Sequence, residues 1–147
     1  MKISTRVRYG MRVMVNLASR SDAGYVLLKD IAREEAVSLK YLSLIMIPLR
    51  VRGLVLASRG ASGGYRLARP ASRISARDVF EAVDGPIVLV DCVGTAALCE
   101  RAPQCPTIKL WARVSKAITD TLAATSLEDM AAEQIRLRKT KATKSAV

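Results

Sequence analysis

The chain changes period once, and that change limits what it can fold into. Up to Gly53, apolar residues recur at helical spacing. Over Leu54–Ala68 they do not. Leu54–Ser58 reads as a strand, Arg59–Gly64 as a flexible turn, and Tyr65–Ala68 as the return strand, ended by Pro70. One hairpin is thus set among helices. Ahead of it, a helix is predicted over residues 4–19, capped by Ser4 or Thr5, with Val7, Met11, Met14, Val15 and Ala18 on one face. A turn at Ser21–Gly24 leads to a short helix over Leu28–Glu35 that presents Leu28, Ile31 and Ala32. Ser38 caps a third helix with Leu39, Leu42, Met46 and Leu49 as its core face. Pro48 is expected to kink or end that helix, and Gly53 to stop it. Beyond the hairpin, Ser75 with Asp78 makes a capping-box start for a helix through Val83, stopped by Asp84-Gly85-Pro86. Pro106 suits the first turn of a last long helix to about Ala124, and Ser126 with Asp129 suits the start of a short final one.

Charge narrows the function. The 147 residues carry a net charge of +11, which favours a polyanionic partner, most often nucleic acid. Arg136, Arg138, Lys139, Lys141 and Lys144 lie in the last dozen residues with no acid among them, so +6 remains in the body. The end of the chain, 133–147, reads as a basic disordered tail. No apolar run approaches the ~20 residues that span a bilayer, and the start, MKISTRVRYG, has no apolar region of signal-peptide type. A cytoplasmic protein with no membrane partner and with reduced cysteines is expected. An enzyme is not expected. Histidine is absent, and there is no nucleophile motif or P-loop. The G-A-S-G-G-Y run lies between strands, so it does not open a helix as a dinucleotide-binding loop would.

Helix, turn, capped helix and Gly-tipped hairpin together describe a winged helix-turn-helix. The expected fold is mainly α with a small β-hairpin wing, plus a long C-terminal dimerisation helix. A recognition helix places its N-terminal residues on base edges and its amide end towards phosphate. Ser38, Lys40 and Tyr41 occupy that end. At the wing tip Arg59, Gly60 and Ser62 are the candidate DNA contacts, the glycines of the turn letting backbone approach a phosphate or the minor groove. The alternatives are a protein-interaction module and a solvated turn.

The only cysteines are Cys92, Cys99 and Cys105, spaced C-x6-C-x5-C. Three thiolates on one loop suit an iron–sulfur cluster, zinc, or direct oxidant sensing. Zinc is disfavoured, because there is no C-x2-C pair and no histidine. A place in the core fits poorly with a segment containing Gly94, Glu100, Pro103 and Gln104. Cys105 precedes Pro106 at a predicted helix start, where the helix dipole favours thiolate. After it, Trp111, Val114, Ile118 and Leu122 recur at helical spacing, either packed on their own domain or paired with a second copy. The division read from these features is a DNA-binding domain over 1–84, a cysteine sensor loop over 85–106, a dimerisation helix and short terminal helix over 107–132, and the tail.

The chain resembles the Rrf2 family of bacterial transcription regulators, which includes IscR, NsrR, RirA and CymR. The carrying stretches are MKISTRVRYG, LKDIA, SLKYL, PLRVRGLV and above all SRGASGGYRL, followed by ISARDVFEAVDG, KLWARV and SLEDM. The resemblance implies a homodimer on a double-stranded operator of approximate twofold symmetry, with Ser38, Lys40 and Tyr41 in the recognition helix and Arg59 in the wing. It also implies a cluster, 2Fe–2S or 4Fe–4S, on Cys92, Cys99 and Cys105. Some members use a histidine just after the third cysteine as fourth ligand, where this chain has Ile108, and others an early acid, where it has Val7 and Arg8. The fourth ligand is therefore unassigned, with Asp91, Glu100, Gln104, Thr107, a small thiol or solvent as candidates. IscR-like members carry glutamate at the position of Ser43, and Leu44 and Ile47 are apolar where relatives often place polar residues. The function implied is a transcriptional regulator, expected to be a repressor, whose operator affinity follows iron, cluster, nitric oxide or redox status. The alternative is a cluster-free thiol or cysteine-metabolism regulator of the CymR type acting with a partner enzyme. An iron–sulfur electron carrier would not need a winged helix.

Overall fold

The computed structural model describes residues 2–60, 63–95 and 99–145. Helices α1 (Thr5–Ala18), α2 (Leu28–Glu35) and α3 (Leu39–Val51) precede a hairpin of β1 (Val55–Ser58) and β2 (Gly64–Leu67). Then come α4 (Ala76–Asp84), the single turn α5 (Asp91–Gly94), α6 (Ile108–Ala123) and α7 (Leu127–Ser145). Among the described residues no helix is long and apolar enough to cross a membrane.

Local signals start the helices where the sequence places them. Ser4 Oγ accepts the amide of Val7, and Ser38 Oγ that of Tyr41, each at 3.2 Å. At α4 the capping box is complete: Asp78 N–H donates to Ser75 Oγ, and Ser75 N–H donates to Asp78 Oδ2. The same exchange joins Ser126 and Asp129 at the head of α7. Those two helix starts are also stapled together, since Ala76 N–H donates to Thr125 O and Leu127 N–H to Ile74 O, both at 2.8 Å.

A single aliphatic core forms where α1, α3, α4, the wing root and the head of α7 meet. Met14, Ile31, Leu42, Ile45, Met46, Leu49, Ile74 and Leu127 are fully buried in it. Two helix faces are rotated from the expected ones. In α1, Val13 and Leu17 are buried while Met11 and Val15 only pack on the margin. In α3, Ile45 is buried, whereas Leu39, expected inside, is half exposed because it occupies the first turn beyond the packed stretch. Pro48 does not end α3, which runs on to Val51. The carbonyl it cannot engage belongs to Leu44, an exposed residue.

The hairpin pairs Val55 with Leu67 through Ser58 with Gly64. It is tied to the helices by Val26, which exchanges both backbone hydrogen bonds with Tyr65 at 2.8 Å. That approach requires glycine at 64. Its φ is +131°, and a Cβ there would lie 2.2 Å from Val26 O.

Residues 133–145, expected to be a disordered tail, continue α7 as helix, and the short terminal helix is 19 residues long. The stretch has no glycine or proline, Glu133 pairs with Arg136 one turn on, and Ser19 donates to Gln134 Oε1 at 2.6 Å. Helix α6 begins at Ile108, so Pro106 lies just outside its first turn.

Candidate nucleic-acid interface and thiol segment

Helix α3 leans its buried face on the core and turns Lys40, Leu44, Ile47 and Val51 outward, all four exposed. Lys40 is thus free to reach a groove from the first turn. Ser38 stands at the N-cap, with its hydroxyl engaged by Tyr41 N–H. Tyr41 is half-buried, its ring edge-on to Tyr9 at 6.0 Å between centroids, and Arg12 lies 5.2 Å over the Tyr9 ring. Tyr41 therefore packs as well as facing outward.

At the wing, Arg59 and Gly60 are exposed, and Gly63 N–H donates to Gly60 O at 3.0 Å to close the turn. Gly60 has φ +99° with open space around it, which leaves its backbone accessible. Gly63 and Gly64 serve the chain itself, since a Cβ at 63 would lie 2.4 Å from Ser58 O. Ser62, the remaining candidate, lies outside the described residues.

A polar cluster that the sequence reading missed braces α1 against α2. Arg12 Nε donates to Glu35 Oε2 at 2.8 Å and Arg12 Nη2 to Glu35 O at 3.0 Å. The fully buried Asn16 donates to both Glu34 and Glu35. Arg20 pairs with Glu34, and Arg138 approaches the same carboxylate from α7 at 3.7 Å. The hydrogen bond from Arg20 holds Glu34 below the ordinary carboxylate range, with burial acting against it and Asn16 reinforcing it. Charge spacing gave no signal for this cluster, because its members meet only when α1, α2 and α7 pack.

The cysteines lie in and around two short turns. Cys92 is in α5, Cys99 precedes a 3-10 turn at Ala102–Gln104, and Cys105 follows that turn. All three are unpaired thiols of intermediate burial. Cys105 Sγ lies 3.2 Å from Thr107 Oγ1. The Thr107 hydroxyl first, and then the backbone amides of Thr107 and Ile108, pull the Cys105 thiol below its ordinary range. The soft thiols suit an iron–sulfur cluster by their chemistry. They are not gathered, however: among the described residues no three His, Cys, Asp or Glu side chains stand together as a metal site. Leu89 N–H donates to Ser115 Oγ at 3.3 Å, joining this segment to α6. Of α6 itself only Ser115 is buried, while Leu110 and Trp111 are exposed.

A capped recognition helix beside a basic-tipped hairpin defines a winged helix-turn-helix DNA-binding regulator. The family model of Rrf2, described as an iron-dependent transcriptional regulator, matches residues 3–133, and the chain belongs to that family. It is 37% identical to the HTH-type transcriptional regulator IscR of Xenorhabdus nematophila, over 91% of this chain and 81% of the relative. Among solved structures, CymR, the global cysteine regulator of B. subtilis, matches with a TM-score of 0.75 at 38% identity, over 90% of this chain and 98% of that one. T. potens IscR matches with a TM-score of 0.71 at 32% identity, over 91% and 88%. The protein is thus a transcription regulator of the CymR/IscR type, in a family of regulators and not of enzymes.

Proposed function

We propose that this chain is a dimeric, cytoplasmic operator-binding repressor whose affinity is set by an iron–sulfur cluster on Cys92, Cys99 and Cys105. The observation that carries the reading is that three unpaired thiols lie on the one segment between the winged-helix body and α6. A bound cluster would supply a centre responsive to iron, nitric oxide or oxidants. Ser38, Lys40 and Tyr41 would sit in the major groove, and Arg59, Gly60 and Ser62 at the wing would meet phosphate or the minor groove. The exposed Leu110 and Trp111, with Val114, Ile118 and Leu122, would pair α6 with its copy, which doubles the operator contacts. Because Ser115 of α6 bonds to the segment that carries the thiols, their state can tilt one DNA-binding half against the other.

Purification without oxygen tests the reading. Expected are visible absorbance, iron with sulfide, and different operator affinities before and after cluster removal. Colourless protein with equal affinity in both preparations would reject it. A second reading, a cluster-free thiol regulator working with a partner enzyme, is favoured by the ungathered thiols and by the likeness to CymR. That reading predicts DNA affinity that follows thiol oxidation in metal-free protein.

A further inference from the structure

The outward face of α3 is unusual for a surface helix. Lys40, Leu44, Ile47 and Val51 recur at i, i+4, i+7 and i+11, and so form one stripe. Leu44 is 55% exposed, Ile47 53% and Val51 77%. Three large apolar side chains in a row on a solvated helix call for an explanation. Cations lie beside them: Arg6 lines the same hollow as Leu44, Ile47 and Val51, Lys40 heads the stripe, and α3 contains no acid. An apolar stripe flanked by cations fits the major groove of DNA, where thymine presents a C5-methyl group and the walls are phosphate.

Hydrogen-bond readout from the same face is restricted. Ser43 donates its only hydroxyl proton to Leu39 O at 2.8 Å, and Ser38 is engaged as the cap. Lys40 is left as the free donor on the stripe. Along a helix axis, residues 44 and 47 stand about 4.5 Å apart, against about 3.4 Å per base step. They can therefore meet methyl groups on neighbouring steps.

We propose that Leu44 and Ile47 are specificity residues that select operators by the methyl groups of thymines in the major groove. This rests on the DNA-binding reading above and deepens it. A second copy or another protein covering the stripe is the competing outcome.

The test uses the full chain, purified without oxygen, and a duplex that it enriches from a random-sequence library. Each thymine is then replaced by deoxyuridine, which keeps every hydrogen-bonding group and removes only the methyl. Affinity should fall about fourfold for each contacted methyl, at one or two thymines per half-site. Leu44→Ala and Ile47→Ala should bind the thymine and deoxyuridine duplexes equally at those positions. Both residues are exposed, so the variants keep the core. Failure to enrich any duplex would remove the DNA-binding reading and this inference with it. Enrichment followed by indifference to deoxyuridine at every position would overturn this inference alone. So would variants that keep the full thymine preference, or that change the sedimentation of the protein without altering it.

Discussion

The body and the arm of this molecule are built to different degrees of completeness. In the body, α1 to α4, the wing and the head of α7 share one core, closed by paired capping boxes and the Val26–Tyr65 exchange. Each device there is satisfied within one chain. The arm, from Pro86 through α6, consists of short turns, three half-buried thiols and a 16-residue helix with one buried residue. A helix with so little burial gains little from its own chain. The body therefore specifies itself, while α6 gains little stability from the rest of its own chain.

Four substitutions test that contrast. The largest effect is expected from Leu42→Ala. It opens a cavity under α3 and should cost about 2–5 kcal/mol in denaturant unfolding. An unchanged midpoint would mean that the body does not stand on its core. Next comes Ile118→Asp on α6, which puts an unpaired charge where the two copies would meet. The dimer dissociation constant should rise on the order of a hundredfold in sedimentation, with the helical content of the body retained. Loss of the body fold instead would erase the distinction between the two regions. Arg59→Ala, at the exposed wing tip, should weaken operator binding by ~1–3 kcal/mol at fixed salt without moving the unfolding midpoint. Unchanged affinity would take Arg59 out of the interface.

The smallest effect concerns the brace between α1, α2 and α7. The folded state holds the Glu34 carboxyl below its ordinary value, so its contribution to stability is present above the unfolded pKa and lost as pH falls through that value towards the folded one. Glu34→Gln should lower stability slightly at neutral pH and flatten the acid limb of the stability profile. An unaltered acid limb would show that Arg20 and Arg138 add nothing through this carboxylate.

Much of the body was legible because its signals are local. Ser38, Ser75 with Asp78, and Ser126 with Asp129 announce helix starts within four residues, and the structure uses all of them. The hairpin was legible from its alternation and its glycines. Pro48 does not end α3 because the next residue, Leu49, is fully buried in the core, and such packing can outweigh the lost donor, which is a tertiary fact. The tail was misread because charge without periodicity resembles disorder. Its helix is held by Gln134 to Ser19 and by Arg138 to Glu34, partners more than a hundred positions away. Gly64 was assigned to ligand approach, and its place against Val26 depends on a strand pairing that no short window contains.

The sequence alone determined the element order, the caps, the wing, the family and the set of three thiols. Each of these rests on residue type and short spacing, where sterics and capping bonds act within a turn or two. Tertiary structure decided which faces of α1 and α3 are buried, that Leu44, Ile47 and Val51 stand outward, and that α6 buries only Ser115 against its own chain. Those outcomes depend on which surfaces remain once every other helix has taken its place, and only the packed chain settles that.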